Sequence, residues 1–318
     1  MKIAVLSSGG DAPGMNAAIR AVTRCGLSQG MTVYGIQRGY QGLLEGAFHE
    51  LSFNDVADKL QRGGTMLQTA RCSDFRTIEG QKKGYEVLKT FGIDALVVIG
   101  GDGSMTGGLA LSKLGMKVFG IPGTIDNDLG YTDFTIGFDT AVNTVLDCIS
   151  KIRDTSSSHE RTTIIEVMGR NCGDLALYAG LAGGVESVII PETGYDINQI
   201  CQRIILGRNR GKVHNIILKA EGVDIKAEEL AKMIEEKTGV ESRAVILAYL
   251  QRGGSPTAND RILATRCGEK AIELISQNSD SKAIGCYGSD IIAVDLEDAL
   301  KTKREFRKDI YDLSIILS

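Results

Sequence analysis

The sequence predicts an α/β fold built on mainly parallel sheets. Three observations carry that expectation. Short apolar runs rich in Val and Ile recur along the chain, the longer segments between them have helical periodicity, and glycines crowd the ends of the runs. Continuously apolar strands are those covered on both faces, as in a parallel sheet. Strand–helix alternation over the full length defines the class. At 318 residues, against a prior of roughly 150 residues per domain, about two domains are expected.

The elements follow in order. Ile3–Leu6 reads as a strand and Met15–Ser28 as the helix after it. Thr32–Ile36, Ala95–Ile99 and Lys117–Ile121 read as strands, with helices over Lys82–Phe91 and Thr106–Leu114. The clearest helix runs from Phe138 to about Arg153. There Phe138, Ala141, Val142, Val145, Leu146, Ile149 and Ile152 form one apolar stripe at i, i+3, i+4, i+7 spacing. The least apolar gap, Asp154–Arg161 (DTSSSHER), reads as a loop. Thr163–Val167, Ser187–Ile190, Asn215–Leu218, Ala244–Leu250 and Ile291–Val294 complete the strands. Helices over Asp174–Leu181, Ile197–Leu206, Ala227–Lys237 and Asn259–Ile275 lie among them.

Composition narrows the function. Glycine is abundant, 39 residues, and proline scarce, 4 residues, a split unlike disordered chains, which tend to be rich in both. The glycines have no period of three, which excludes collagen. A net charge of −4 does not imply a nucleic-acid or anionic-membrane partner, so any anion site must be built locally. The opening run Ile3–Leu6 is too short for the roughly 7–15-residue apolar core of a secretion signal. No run approaches the roughly 18 apolar residues of a membrane span. Seven scattered cysteines without a CxxC pair read as reduced thiols of a cytoplasmic protein. Three histidines argue against a Cys/His zinc site.

The glycines carry the chemistry. They follow strands, where α/β sheets bind ligands: Gly9-Gly10-Asp11, Gly100-Gly101-Asp102-Gly103-Ser104, Pro122-Gly123-Thr124-Ile125-Asp126-Asn127-Asp128, Met168-Gly169-Arg170 and Gln251-Arg252-Gly253-Gly254. Glycine lets backbone N–H groups approach a phosphate, and a following helix N-terminus adds positive potential. One such loop is often only a tight turn; three that also carry carboxylates point to phosphate and metal chemistry. Neither GxxxxGK[ST] nor GxGxxG is present, which removes the main support for a P-loop or dinucleotide reading. Asp102, on a glycine turn, is placed to hold Mg²⁺ on a nucleotide. Asp126 and Asp128 share a face if the stretch is extended; one suits a proton acceptor, the other a metal through water. Arg71 and Arg170 are candidates to cover a migrating phosphoryl group. Arg161, Arg243 and Arg252 suit an anionic substrate.

GGDAPGMNAAIR (9–20), GGDGS (100–104), PGTIDND (122–128), TIGFDTA (135–141), DTSSSHER (154–161), EVMGR-CGD (166–174) and QRGGSP-DR (251–261) together resemble the bacterial ATP-dependent 6-phosphofructokinases. The resemblance spans essentially the whole chain. It implies two doubly wound domains with mainly parallel sheets and an active site in the cleft between them. It implies a nucleotide domain of 1–138 plus 256–303 and a sugar-phosphate domain of 139–255 plus 304–318. The implied reaction moves a phosphoryl group from MgATP to the 1-hydroxyl of fructose 6-phosphate, in glycolysis. Asp126 would be the base, with Thr124, Arg71 and Arg170 also catalytic. Gly10, Arg71, Cys72, Gly101, Asp102, Gly103 and Ser104 would bind ATP, and Asp102 and Asp128 would serve Mg²⁺. Thr124, Ile125, Asp126, Arg161, Met168, Gly169, Arg170, Glu221, Arg243, Tyr249 and Arg252 would bind the sugar phosphate. Arg161 and Arg243 would reach it from a neighbouring subunit of a homotetramer. Arg20, Arg24, Arg153, Glu186, Arg210, Lys212 and His214 would form an effector site for ADP or phosphoenolpyruvate.

Departures from the family pattern set further expectations. Tyr249 stands where His is usual, Phe53 where Arg is usual and Val213 where Lys is usual. Two fewer cations predict blunted effector control. Gly103 and Gly123 stand where pyrophosphate-dependent relatives typically carry Asp and Lys, which favours ATP. A binding-only regulatory homologue is the reading from another class. The retained Asp102, Asp126, Asp128, Arg71 and Arg170 argue against it, because a sensor needs no base. An NAD-kinase-like reading is disfavoured by PGTIDND and the later arginines.

Overall fold

The computed structural model describes residues 1–317, and the chain divides into two compact units. The first comprises Met1–Ile125, Leu129–Thr140 and Arg252–Arg304. The second comprises Asp126–Asp128, Ala141–Gln251 and the residues from Glu305 on.

The chain begins with β1 (Lys2–Ser7), α1 (Met15–Ser28), β2 (Thr32–Ile36), α2 (Gly39–Glu45), β3 (Phe48–Glu50), α3 (Ile78–Thr90), β4 (Ala95–Gly100), α4 (Asp102–Lys113) and β5 (Lys117–Pro122). Helix α5 (Phe138–Ser158) leads to β6 (Thr162–Val167), α6 (Asp174–Gly183), β7 (Ser187–Ile189), α7 (Ile197–Asn209), β8 (Asn215–Ala220), α8 (Ala227–Thr238) and β9 (Ser242–Ile246). Then come α9 (Ala258–Ser276), β10 (Lys282–Tyr287), β11 (Asp290–Asp295), α10 (Leu296–Lys301) and α11 (Lys308–Ile316).

The first unit is built on a sheet of order β11-β10-β5-β4-β1-β2-β3. Its interior pairs are parallel, and only the edge strands β3 and β11 run antiparallel to their neighbours. Strands β1 and β4 are wholly buried along their apolar stretches, as helices on both faces require. On one face α2, α3 and α4 close a core that includes Leu6, Ile36, Leu43, Leu88, Val98, Met105 and Leu111. On the other, α1 and α9 approach so closely that a Cβ at Gly268 would lie 2.6 Å from Ala21 Cβ. Strand order reverses beside β1, between β2 on one side and β4 on the other. The loops leaving β1 and β4 therefore meet at a switch point, where α/β sheets take ligands.

The second unit holds a fully parallel sheet of order β7-β8-β6-β9. Its carboxyl ends lead into Met168–Gly173 after β6, Glu221 after β8 and Leu247–Arg252 after β9.

Three local expectations are corrected. Helix α5 continues through the DTSSS stretch to Ser158. Its serines find partners there: Ser158 Oγ donates to the Asp154 carbonyl at 2.9 Å, and buried Ser156 lies 2.6 Å from Thr163 Oγ1 on β6. Strand β9 ends at Ile246, not Leu250, because Ala248 takes φ 44° and opens a 3₁₀ turn over Ala248–Arg252. Asp102 is the first residue of α4 rather than part of a loop. Strands β3 and β10 and helices α2, α10 and α11 were not expected from periodicity. Among the described residues no helix is long and apolar enough to cross a membrane.

Candidate active site

In the first unit, the loop after β1 is tied to β4, with Ser8 N donating to the Ile99 carbonyl at 3.0 Å. The same loop holds the stretch that carries Arg71 and Cys72. Ser7 Oγ lies 2.6 Å from Thr65 Oγ1 and donates to the Gln68 carbonyl at 3.1 Å, and Thr69 Oγ1 donates to the Gly9 carbonyl at 2.8 Å. Arg71 itself is exposed, and Cys72 packs at the edge of the core. Gly10 lies against the Arg252 guanidinium, whose Nη1 donates to the Asp11 carbonyl at 3.1 Å.

The loop after β4 passes directly into α4. Gly101 is its N-cap, and Asp102, Gly103 and Ser104 form the first turn. Asp102 and Gly103 are exposed and Ser104 is buried. Nothing lies within 4 Å of a Cβ built at Gly103, so this N-terminus is open to an anion. Tyr40 steadies the turn, its hydroxyl donating to the Ser104 carbonyl at 2.6 Å.

The loop after β5 is the most firmly held. Gly123 N donates to the Gly100 carbonyl at 3.0 Å, Thr124 N to the Ile136 carbonyl at 3.1 Å and Ile136 N to the Pro122 carbonyl at 2.8 Å. Thr135 Oγ1 donates to the Thr124 carbonyl at 2.7 Å. The stretch beyond is not extended: it bends at Ile125 and Asp126, and Asn127 takes φ 52°. The shared-face expectation for Asp126 and Asp128 fails on that account. A cation joins them instead.

That cation is Arg170. Its Nε lies 3.1 Å from Asp126 Oδ2, and its Nη1 lies 4.0 Å from Asp128 Oδ2. The Asp126 side chain is 0% exposed, whereas that of Arg170 is 53% exposed. A buried carboxylate needs such compensation, and the exposed half of the guanidinium stays available to a ligand. The turn that presents it is tight. Gly169 has φ 131°, and a Cβ there would lie 2.5 Å from the Cys172 carbonyl oxygen. Arg170 itself takes φ 52°, a sparsely populated conformation for a residue with a side chain. Glu221 holds it, accepting from Arg170 N at 2.8 Å.

The remaining sugar-phosphate candidates fall into two places. Met168 N donates to Gln251 Oε1 at 3.1 Å, and Gln251 Nε2 donates to the Ala248 carbonyl at 3.0 Å. Gln251 thereby ties the Met168–Arg170 turn to the turn bearing Tyr249, which is 78% exposed. Arg161 and Arg243 converge on Glu241, at 3.8 and 2.7 Å, on and beside edge strand β9. The structure thus brings Asp126, Asp128, Arg170 and Glu221 together, and separately pairs Arg161 with Arg243. It gives Arg71 and Tyr249 no fixed partner among the described residues.

The effector candidates also lie in two groups. In the second unit Arg153 donates to the carbonyls of Gly183 and Gly184 at 2.7 and 3.0 Å. Lys212 pairs with Glu186 at 2.9 Å, and Glu186 also accepts from Ile216 N. Arg210 is exposed and His214 half-buried. In the first unit Arg20 and Arg24 lie on α1, and the Phe53 ring covers the Arg24 guanidinium at 5.7 Å. Val213 is an exposed apolar residue beside Lys212.

Sequence reading missed the supporting residues. Asn127 donates to Asp174 at 2.9 Å, Gln251 joins two turns, and Asp260 holds the start of α5. Each sits inside a quoted motif, but the partner that explains it lies far away in sequence.

Fold and site together define a phosphate-handling α/β protein, with a buried carboxylate poised against an arginine. The family model described as phosphofructokinase matches residues 2–275. The ATP-dependent 6-phosphofructokinase of Clostridium botulinum (strain Loch Maree / Type A3) is 58% identical over 316 residues, 99% of each chain. That of Clostridium tetani (strain Massachusetts / E88) is 58% identical over 317 residues, 100% of this chain and 99% of that one. The solved phosphofructokinase of Saccharomyces cerevisiae superposes with a TM-score of 0.90 at 35% identity. It covers 99% of this chain and 47% of its own, so this chain spans about half the yeast chain's length. The pyrophosphate-dependent phosphofructokinase of Marinobacter aquaeolei, at 20% identity and a TM-score of 0.86, shares the fold. The chain belongs to the phosphofructokinase family.

Proposed function

We propose that this chain transfers the γ-phosphoryl group of ATP to the 1-hydroxyl of fructose 6-phosphate, giving ADP and fructose 1,6-bisphosphate in glycolysis. One observation carries the reading. A chain 58% identical over its length to ATP-dependent 6-phosphofructokinases holds Asp126 buried and 3.1 Å from Arg170. In the reaction the 1-hydroxyl oxygen bonds to the γ-phosphorus while the bond to the β–γ bridging oxygen breaks. The hydroxyl proton passes to the Asp126 carboxylate, and ADP leaves with the bridging oxygen. Thr124 orients the acceptor, and Arg170 and Arg71 stabilise charge on the moving group.

The first unit takes the nucleotide, through Gly10, Arg71, Cys72 and the Gly101–Ser104 turn. The second takes the sugar phosphate, through Met168, Gly169, Arg170, Glu221 and Tyr249. Asp102 of the first unit and Asp128 of the second each offer a carboxylate that would suit Mg²⁺ carried on phosphate oxygens. Among the described residues no group of three or more His, Cys, Asp or Glu forms a self-sufficient cage. Mg²⁺ held by such a carboxylate would neutralise phosphate charge. ATP is favoured over pyrophosphate by space. Gly103 faces open room, and Gly123 sits where even a Cβ would lie 3.1 Å from Ile99 Cγ2 and Met15 Cε, which disfavours the Lys of pyrophosphate-dependent relatives there. We assign the chain to the cytoplasm and to a homotetramer in which Arg161 and Arg243 serve a neighbouring subunit. Phe53 and Val213 leave the effector site with fewer cations, which weakens its hold on ADP or phosphoenolpyruvate.

A coupled steady-state assay varying fructose 6-phosphate, donor and phosphoenolpyruvate tests all of this. Turnover with ATP, none with pyrophosphate, and a weak response to phosphoenolpyruvate are expected. Absence of turnover favours the regulatory homologue. Turnover with pyrophosphate overturns the donor, and strong sigmoidal inhibition overturns the blunted effector site.

A further inference from the structure

Asp260 touches none of the residues assigned to substrate, yet it is 1% exposed. It lies in the first turn of α9, where Thr257 caps the helix by accepting from Asp260 N at 3.3 Å. Its own carboxylate faces another helix. Oδ1 accepts from Gly137 N at 2.8 Å, and Oδ2 accepts from Thr140 N at 2.8 Å and Thr140 Oγ1 at 2.5 Å. These backbone donors belong to the start of α5, where N–H groups have no intrahelical partner. Usually a side chain just before the helix supplies the cap. Here that is impossible at Gly137: with φ 104°, a Cβ would lie 2.7 Å from Ala12 Cβ. The cap arrives from a residue more than a hundred positions away. Thr257 and Asn259 reinforce it, donating to the two Asp139 oxygens at 2.5 and 3.3 Å. Burial pushes the Asp260 carboxyl up to about 6, while its hydrogen bonds with Thr140 and Gly137 pull the other way. Three donors aimed at the two oxygens favour the anion.

The segment it holds is also the support of the catalytic loop. Thr135 Oγ1 donates to the Thr124 carbonyl, and the Ile136 carbonyl accepts from Thr124 N. Thr124 stands two residues before Asp126. A continuous path of buried hydrogen bonds runs from Asp260 through residues 135–140 to the backbone that presents the base.

We propose that Asp260 is a positioning residue for phosphoryl transfer: it fixes the 135–140 segment and, through Thr124, the aim of Asp126. The inference rests on the reading of Asp126 as base. Asp260→Asn keeps the shape but turns an NH₂ towards an N–H donor. In the full-length protein, kcat falls about ten- to a hundredfold, since small misplacements of reacting groups cost up to about 10²-fold. The KM for ATP stays near the wild-type value, because the Gly101–Ser104 turn is held independently. Thr135→Val cuts the same path nearer the base and lowers kcat in the same way, whereas Thr135→Ser keeps the hydroxyl and restores it. The double variant Asp260→Asn/Thr135→Val loses less than the product of the two single losses, as residues on one path do. If Asp260→Asn does not fold, the Thr135 pair and Thr140→Val carry the test. An inactive wild-type chain refutes the functional reading itself. An active wild type alongside an Asp260→Asn protein that only melts earlier, with unchanged kcat, refutes the positioning role. So does a Thr135→Val protein with wild-type kcat.

Discussion

The stretch from Pro122 to Thr140 and the stretch from Gln68 to Arg76 both carry residues assigned to the reaction, and they are built in opposite ways. In the first, Thr124, Asp126 and Asn127 are buried, and the side chains of Thr135 and of Asp260 on α9 lock the backbone. In the second, the ends are secured by Ser7, Thr69 and the stacking of Phe75 on Tyr40 at 4.1 Å. Arg71 between them is exposed. The contrast follows from the chemistry. A proton acceptor works only within hydrogen-bond reach of its hydroxyl, so its position is worth fixing before substrate arrives. A cation acts over a longer range on spread charge, and the substrate's phosphates can order it. Arg170 stands between the two cases, anchored to buried Asp126 on one side and open to solvent on the other.

The largest effect belongs to the fixed region. Asp126→Asn preserves volume and removes the proposed proton acceptor. We expect kcat to fall by up to about 10⁴-fold, the upper end for a general base, with nucleotide affinity intact by equilibrium titration. A near-wild-type rate removes Asp126 as base and collapses the contrast. The intermediate effect belongs to Arg170. Arg170→Ala is expected to cost about 10²–10³-fold in kcat/KM, the range for losing one preorganised donor at a developing charge. Arg170→Lys restores the charge but not the fork that spans Asp126 and Asp128, so it recovers only part of the loss. Full recovery by Lys, read in the same coupled assay, shows that charge alone matters there.

The same division decides what was legible in the sequence. Strands such as Ala95–Gly100 are buried along their whole length, and their composition reports that directly. Strand β10 escaped because it owes its place to partners: it pairs antiparallel with β11 and parallel with β5, while Gly285 lies against Thr132. Helix α5 outran its apolar stripe because Ser158 bonds back to the Asp154 carbonyl and Ser156 pairs with Thr163 on β6, so neither ends it. At the site, Asp126 and Arg170 stand out as chemistry-bearing residues beside glycine turns. Asp260 does not, because a helix cap normally sits next to its helix and this one is 120 positions from Thr140. Long-range hydrogen bonding leaves no local trace in composition or period.

The smallest effect is expected at Tyr249, on the exposed side of the contrast. It lies on the turn after β9, held from behind by Gln251 and Ala248 while its own side chain is open to solvent. Nothing in the fold requires a phenol there. Its hydroxyl offers one neutral hydrogen bond, whereas an imidazole can carry charge towards a phosphate. Tyr249→His is therefore expected to lower the KM for fructose 6-phosphate by about fivefold, the equivalent of about 1 kcal/mol for one added hydrogen bond. The kcat should stay unchanged, because the turn and the Asp126 support are untouched. The gain should be greater at pH 6 than at pH 8, since only the protonated ring brings charge. A change in kcat instead of KM places Tyr249 among the positioned groups rather than the substrate-ordered ones, and moves the boundary between the two regions across the Gln251 turn.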